Sequence, residues 1–232
     1  MRYDAELIRL KDKTYGVLRN AEPSEGGKML ELMRICAGET EYLIHYPDEI
    51  IRSDESEAAF IQMTNESDGT LMLVCDIDGE LVGFCSLNCA GMKKSKVRHR
   101  ASVGISVISK YWGKGLGTIM MSALEKQAKT MGISQMELEF IEGNDRAKCL
   151  YEKLGYRVTG ELPNAIHSRD GKRLGSDHNI MGTALDPLYQ TQLRGVESYR
   201  FDVPDGNYRL TLLFAELDRA SQADRSFDIV VN

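Results

Sequence analysis

Eight residues, Tyr111-Trp112-Gly113-Lys114-Gly115-Leu116-Gly117-Thr118, set three glycines and a lysine directly after an apolar segment, Val103 to Ile108, and at the start of an apolar-periodic stretch. Glycines at this spacing give the backbone access to positive φ. Successive N–H groups can then converge on an anion, with the positive end of a helix dipole behind them. The chemistry on offer is phosphate binding. A P-loop would read Gly-x-x-x-x-Gly-Lys-Ser/Thr, but here Gly115 follows Lys114 and no residue is placed for magnesium. A dinucleotide fold wants an acidic residue about 20 positions on, after a second parallel strand. Antiparallel hairpins precede this turn instead, so both readings fit poorly.

A second block, Asn144-Asp145-Arg146-Ala147-Lys148-Cys149-Leu150-Tyr151-Glu152-Lys153-Leu154-Gly155-Tyr156, lies about thirty residues later. Read from its residues alone, Asn144 is a helix cap, Gly155 a helix stop and Tyr151 a core aromatic on an amphipathic helix. In Met136-Glu137-Leu138-Glu139-Phe140 the alternation puts Glu139 on a solvated face of a strand. Glu41, Asp48 and Glu49 are ordinary surface charge or a patch that attracts a cation. Lys93 to Arg100 is a basic run in a strand connection, and His45, His167 and His178 do not cluster in sequence.

The two blocks, in this order and separation, resemble the GNAT superfamily of acetyl-CoA-dependent N-acetyltransferases over about residues 7 to 183. Gly115 and Gly117 match the glycines of its Gln/Arg-x-x-Gly-x-Gly/Ala signature, with Trp112 where Gln or Arg is usual. The later block is similar to its fourth-helix segment ending in Tyr-Glu-Lys-x-Gly-Phe/Tyr. The resemblance implies that amides of Gly113, Lys114, Gly115, Leu116, Gly117 and Thr118 hold the pyrophosphate of acetyl-CoA. It places Asn144 on the pantetheine arm and Tyr151 beside the thioester sulfur as the acid. A backbone N–H on the fourth expected strand, at Val107 or its neighbour, would take the thioester carbonyl. Glu139 is then the first choice of base, on the fifth expected strand. Ser102 stands near where many members carry a glutamate, and a water relay from another carboxylate is the competing option. Glu41, Asp48 and Glu49 fall in the loop that would line the acceptor site. The basic run would be a solvated connection or a contact for an acidic acceptor or the CoA 3′-phosphate.

The elements that must position these residues follow from periodicity. A strand is expected over 14–19, helices over 24–37 and 55–64, and a hairpin pairing 71–77 with 81–87 about Asp78-Gly79-Glu80. A strand over 101–108, a helix over 115–131, a strand over 135–141, a helix from 144 to about 154 and strands over 156–160 and 178–183 complete the order. The expectation is an α+β (mixed α/β) chain. Its three-layer GNAT-type fold has a central, mostly antiparallel, splayed sheet flanked by helices, with a short C-terminal β appendage. Residues 1–183 form the acetyltransferase domain and 184–232 the appendage. In the latter, alternation over 198–203, 208–214 and 226–231 suggests three strands, too few to bury a core alone. The wording of 199–216 and 225–232 resembles the middle of a malectin-like carbohydrate-binding β-sandwich, without the two full sheets a sugar site needs. A structural or dimerising role is expected, since exposed strand edges pair readily.

Composition bounds the rest. At 232 residues, 42% hydrophobic and 28% charged, the chain reads as soluble and globular. A net charge of −6 argues against a nucleic-acid partner. No apolar run reaches the roughly 20 residues of a membrane span, and no secretory h-region opens the chain. Five cysteines without paired spacing read as free thiols in a reducing cytoplasm, and metal ligation is not expected. The functional expectation is an N-acetyltransferase that moves acetyl from acetyl-CoA to a primary amine by direct attack in a ternary complex. Neither a metal nor a covalent acyl-enzyme is involved, and the acceptor is a small molecule or peptide. A homodimer is a further expectation. The alternative is a catalytically degenerate acetyl-CoA-binding or scaffold module with a C-terminal interaction segment.

Overall fold

The computed structural model describes residues 1–89, 91–162, 165–169 and 173–174. The strands expected over 178–183, 198–203, 208–214 and 226–231, and the boundary at 183, lie outside these residues. Met1–Arg157 form one compact unit and residues from Val158 onward belong to a second.

The first unit is a six-stranded sheet whose strands follow chain order: β1 (Glu6–Arg9), β2 (Tyr15–Asn20), β3 (Thr70–Ile77), β4 (Glu80–Asn88), β5 (Arg100–Val107) and β6 (Gln135–Glu137). Neighbours pair antiparallel from β1 to β5, and β6 joins β5 in parallel. The β3–β4 hairpin turns on Asp78 and Gly79, at φ 54° and 84°. Both central residues are left-handed, which matches the strand twist. Along β3, Leu71, Leu73, Cys75 and Ile77 join one core, while Met72 and Val74 join another on the opposite face. A strand covered on both sides reads as a continuous apolar run, which is how it reads in the sequence.

Helices α1 (Gly26–Gly38) and α2 (Asp54–Glu66) bury Met29, Leu32, Cys36 and Ile61 against the Met72/Val74 face. Helix α3 (Leu116–Thr130) buries Leu116, Met120 and Leu124 against the other face, where α4 (Asp145–Lys153) contributes Tyr151. Ser53 caps α2 through the Ser56 N–H, and Asn144 caps α4 through the Ala147 N–H.

Three differences from the sequence reading stand out. Strand β1 was not expected: only Ile8 of its four residues is buried, so Glu6–Arg9 carries no alternation long enough to read. No strand forms over 156–160. Gly155, at φ 88°, ends α4, with its own N–H on Glu152 O and the Tyr156 N–H on Tyr151 O, both at 3.0 Å. That double closure folds Tyr156 back onto Tyr151. The strand expected over 135–141 stops at Glu137, because Leu138 and Phe140 leave the ladder to pack on the α3/α4 core.

That early stop opens the sheet. Only Arg100, Ala101 and Ser102 pair with β6, opposite Gln135, Met136 and Glu137. On its other edge β5 stays paired to β4 as far as Val107↔Gly83. Among the described residues, positions 103–107 of β5 therefore present an edge with no ladder partner. A bidentate ion pair between Arg100 and Glu137 clamps the closed end. In the second unit, β7 (Ile166–His167) pairs antiparallel with β8 (Arg173–Leu174).

Candidate active site

A cleft of about 1080 Å³ runs through this opening, at the upper end of the size range of ligand sites. The glycine turn and α4 form one end of it, and the C-terminus of α1 with the loop after it forms the other. Nine of the residues singled out in the sequence line the cleft: Glu41, Val107, Gly113, Gly115, Gly117, Thr118, Glu139, Asn144 and Tyr151. Lys114, Leu116, Asp48 and Glu49 are not in the lining.

The three glycines of the turn serve different ends. Gly113 and Gly115 sit at φ 73° and 91°, and a Cβ on Gly113 would meet nothing within 4 Å, so backbone conformation alone demands glycine there. Gly117 is helical, and a Cβ on it would come within 3.1 Å of Leu150 Cδ2, so it lets α3 approach α4. Gly115 caps α3 without any side chain accepting from the first turn. The first-turn amides are thus left without a side-chain cap where Gly115, Gly117 and Thr118 line the cleft, a donor set suited to a diphosphate. Leu116 has a fully buried side chain and can contribute only its amide. Lys114 is turned outward, 3.0 Å from Asp12 and over the Tyr111 ring. Its ammonium holds the Asp12 carboxyl down at about 2.

Trp112 takes a part the sequence did not reveal. Its indole N–H donates to Val107 O at 2.6 Å and ties the turn to the end of β5. The Arg146 guanidinium, from the first turn of α4, stacks over the ring at 4.1 Å and lines the cleft. A tryptophan thus replaces the usual polar residue, and a cation reaches the same place from another helix. Nothing in one sequence pairs Arg146 with Trp112.

The Ile108 N–H donates to Val82 O on β4. Strand alternation therefore aims the N–H groups of Val107 and Ile105 at the open edge, where a carbonyl oxygen can be held. Tyr151 lies below this edge, packed against Phe140 and Tyr156 at ring separations of 6.0 and 5.9 Å. Burial pushes its phenol above the usual value. Raised in this way the phenol is protonated at neutral pH, and among the described residues its hydroxyl has no hydrogen-bond partner. Asn144 spends its side-chain oxygen on the cap, leaving its NH₂ to face the cleft.

Glu139 lies two residues beyond β6 rather than on a strand, and it is exposed on the cleft wall. Ser102 is outside the lining, its hydroxyl near Asn88 O at 3.5 Å. At the other end, Glu41 is exposed and lines the cleft, whereas Glu49 closes the one-turn helix Pro47–Glu49 by accepting from the Tyr46 N–H at 2.9 Å. Glu39 accepts from both the N–H and hydroxyl of Ser109, each at 2.6 Å, and anchors the loop to the end of β5. The basic run from Lys93 is turn-rich and does not line the cleft. Cys36, Cys75, Cys85 and Cys89 are buried free thiols and Cys149 is an exposed one. Burial raises Cys36 and Cys75 to about 12, so they are inert. Among the described residues no group of side chains could hold a metal ion, and no helix is long and apolar enough to cross a membrane.

Known proteins share this arrangement. The Malectin domain model matches residues 141–232 and so claims α4 as well as the C-terminal segment. Two curated relatives, L-methionine sulfoximine/L-methionine sulfone acetyltransferases from Pseudomonas paraeruginosa and Pseudomonas aeruginosa, are each 29% identical over 119 residues. Those residues are 50% of this chain and 66% of each relative, just under two thirds of their length. Among solved structures, a GNAT-family acetyltransferase from Streptococcus pneumoniae aligns with a TM-score of 0.63 at 23% identity, covering 73% of this chain and 95% of that one. The ribosomal-protein-alanine N-acetyltransferase of Brucella melitensis aligns at 0.58 and 20%, covering 68% and 93%. YncA from Salmonella typhimurium, solved with its cofactor acetyl-CoA, aligns at 0.56 and 20%, covering 68% and 87%. These likenesses speak for the fold. The Acetyltransferase (GNAT) family model itself matches residues 34–156, more than half the chain, from the C-terminal part of α1 through α4, and the chain belongs to that family.

Proposed function

We propose that this protein is an N-acetyltransferase that passes the acetyl group of acetyl-CoA to a primary amine by direct attack, with both substrates bound at once. The observation that carries this reading is a single cleft that crosses the sheet, with uncapped helix amides at one end and carboxylates at the other. Acetyl-CoA supplies an activated carbonyl. The amides of 113–118 suit its diphosphate, and the Val107 or Ile105 N–H suits the charge that grows on the carbonyl oxygen as the amine attacks. An amine attacks only when neutral, so a carboxylate must take its proton, either Glu139 directly or through water. The Tyr151 phenol, kept protonated by burial, donates to the leaving thiolate. The buried free thiols fit a reducing compartment, and the cytoplasm is the location proposed; a homodimer is proposed as the assembly.

The test is to follow free thiol release from acetyl-CoA with a panel of primary amines. Thiol release that depends on the amine supports the reading. Tight acetyl-CoA binding without turnover would favour the binding-module alternative.

A further inference from the structure

Beside the acceptor end of the cleft lies a side pocket of about 100 Å³. Cys36, Leu43, Phe84 and Ser106 line both spaces, so the two are neighbours across these four residues. Its depth is walled by Met33, Ala37 and Ile50, and its only other polar-tipped neighbour is His45. The room comes from β5, whose face toward α1 carries, beyond Arg100, only Ser102, Gly104 and Ser106. Phe84, paired with Ser106 across the ladder, forms the floor. The charged side chains that line the cleft are divided between its ends. Glu39 and Glu41 lie on the acceptor wall, while the lining cations, Lys11, Arg146 and Lys153, come from the glycine-turn and α4 walls. Arg34 of α1 stands behind the lining, its guanidinium donating to Ile50 O at 3.0 and 3.2 Å. Among the described residues none of these cations lines the side pocket.

From this we infer that the side pocket binds the tail of the acceptor, and that the acceptor is a primary amine with a short branched or linear apolar tail and no carboxylate on the amine-bearing carbon. The inference rests on the acetyl-transfer reading. An ammonium would be drawn toward Glu41, the tail would displace water from an apolar pocket, and a carboxylate would meet like charge with no cation in the pocket lining and Arg34 engaged on Ile50 O. This separates the chain from relatives whose names specify free amino-acid derivatives.

Isopentylamine, methylamine and L-leucine make the test, because L-leucine is isopentylamine plus a carboxylate and methylamine is the amine without the tail. With the full chain and acetyl-CoA, kcat/KM for isopentylamine should exceed that for methylamine by at least about tenfold, since each buried methylene discriminates by roughly tenfold or more. It should exceed that for L-leucine as well. Ala37→Leu, which fills the pocket, should cut isopentylamine turnover about tenfold more than methylamine turnover. Leu43→Ala, which widens the mouth at a partly exposed site, should shift the preference toward longer tails if Ala37→Leu does not fold. Equal rates for the two alkylamines, or faster turnover of L-leucine, would overturn the inference while leaving acetyl transfer standing. If no amine releases thiol, the transfer reading fails instead. The pocket is then judged by calorimetry with CoA present: isopentylamine binding tenfold tighter than methylamine upholds it, and equal binding overturns it.

Discussion

The two ends of the cleft are built by different means. The glycine-turn end is backbone: positive φ at Gly113 and Gly115, an uncapped helix start, and N–H groups on a strand edge that has lost its partner. The acceptor end is side chains on a loop, Glu41 and Leu43 among them, held by the Glu39–Ser109 contact. Backbone geometry cannot be retuned by a point substitution without strain, so that end is fixed in chemistry. Side chains on a loop can be exchanged freely, so specificity resides there. Substitutions along the cleft should therefore fall into distinct classes, of which the centre gives the largest.

Tyr151→Phe removes one oxygen from a packed ring cluster and leaves both ends intact. Turnover should fall by about 10² to 10⁴, the usual worth of a positioned proton donor, while the Kd for acetyl-CoA moves less than about threefold. Because burial raises the phenol, wild-type turnover should also persist through the pH near 10 where an ordinary tyrosine ionises. Turnover that survives the substitution would remove Tyr151 from the chemistry. Gly115→Ala tests the backbone end. Holding alanine at φ 91° costs about 1–2 kcal/mol, so the turn should relax and weaken acetyl-CoA binding roughly tenfold, measured by calorimetry.

The difference between the ends also sets how far the sequence could be read. Gly113, Gly115 and Gly155 declare positive-φ states that few other residues adopt, and Asn144 declares a side-chain cap, so the turn and α4 were legible. The splay was not, because it depends on where β6 stops. Leu138 and Phe140 alternate as a strand should, yet they choose the α4 core over the ladder. Asp48 and Glu49 looked equivalent to Glu41, but the Pro47–Glu49 turn keeps them out of the lining. Position along a loop does not encode which way the loop faces.

Arg146 and Trp112 join the two kinds of construction, a side-chain stack on the backbone end. Arg146→Ala should weaken acetyl-CoA binding about three- to tenfold at low salt. The loss should shrink as salt rises, since an exposed guanidinium acts through a screened field. Arg146→Lys should recover only part, because an ammonium does not stack flat on the indole. If pantetheine, which lacks the phosphates, loses as much affinity as CoA, the residue props the turn rather than meeting the anion.

The smallest effect belongs to the residue that looks most like a phosphate ligand. Lys114 sits between two glycines of the turn, yet its ammonium is 3.0 Å from Asp12 and over Tyr111. Lys114→Ala should leave the Kd for acetyl-CoA within about twofold and its salt dependence unchanged. What it should alter is acid behaviour. Asp12 is depressed from 3.8 to about 2, chiefly by the hydrogen bond to Lys114. A depressed carboxyl stabilises the fold above its unfolded pKa and loses that contribution as pH falls through its folded one. The wild type should therefore lose this increment between about pH 4 and 2, and the variant should lack it at neutral pH. NMR titration of the Asp12 carboxyl would show its midpoint return toward 3.8 in the variant. A tenfold loss of acetyl-CoA affinity on Lys114→Ala would instead mean that the lysine swings to the diphosphate on binding, and that the backbone alone does not make this end of the cleft.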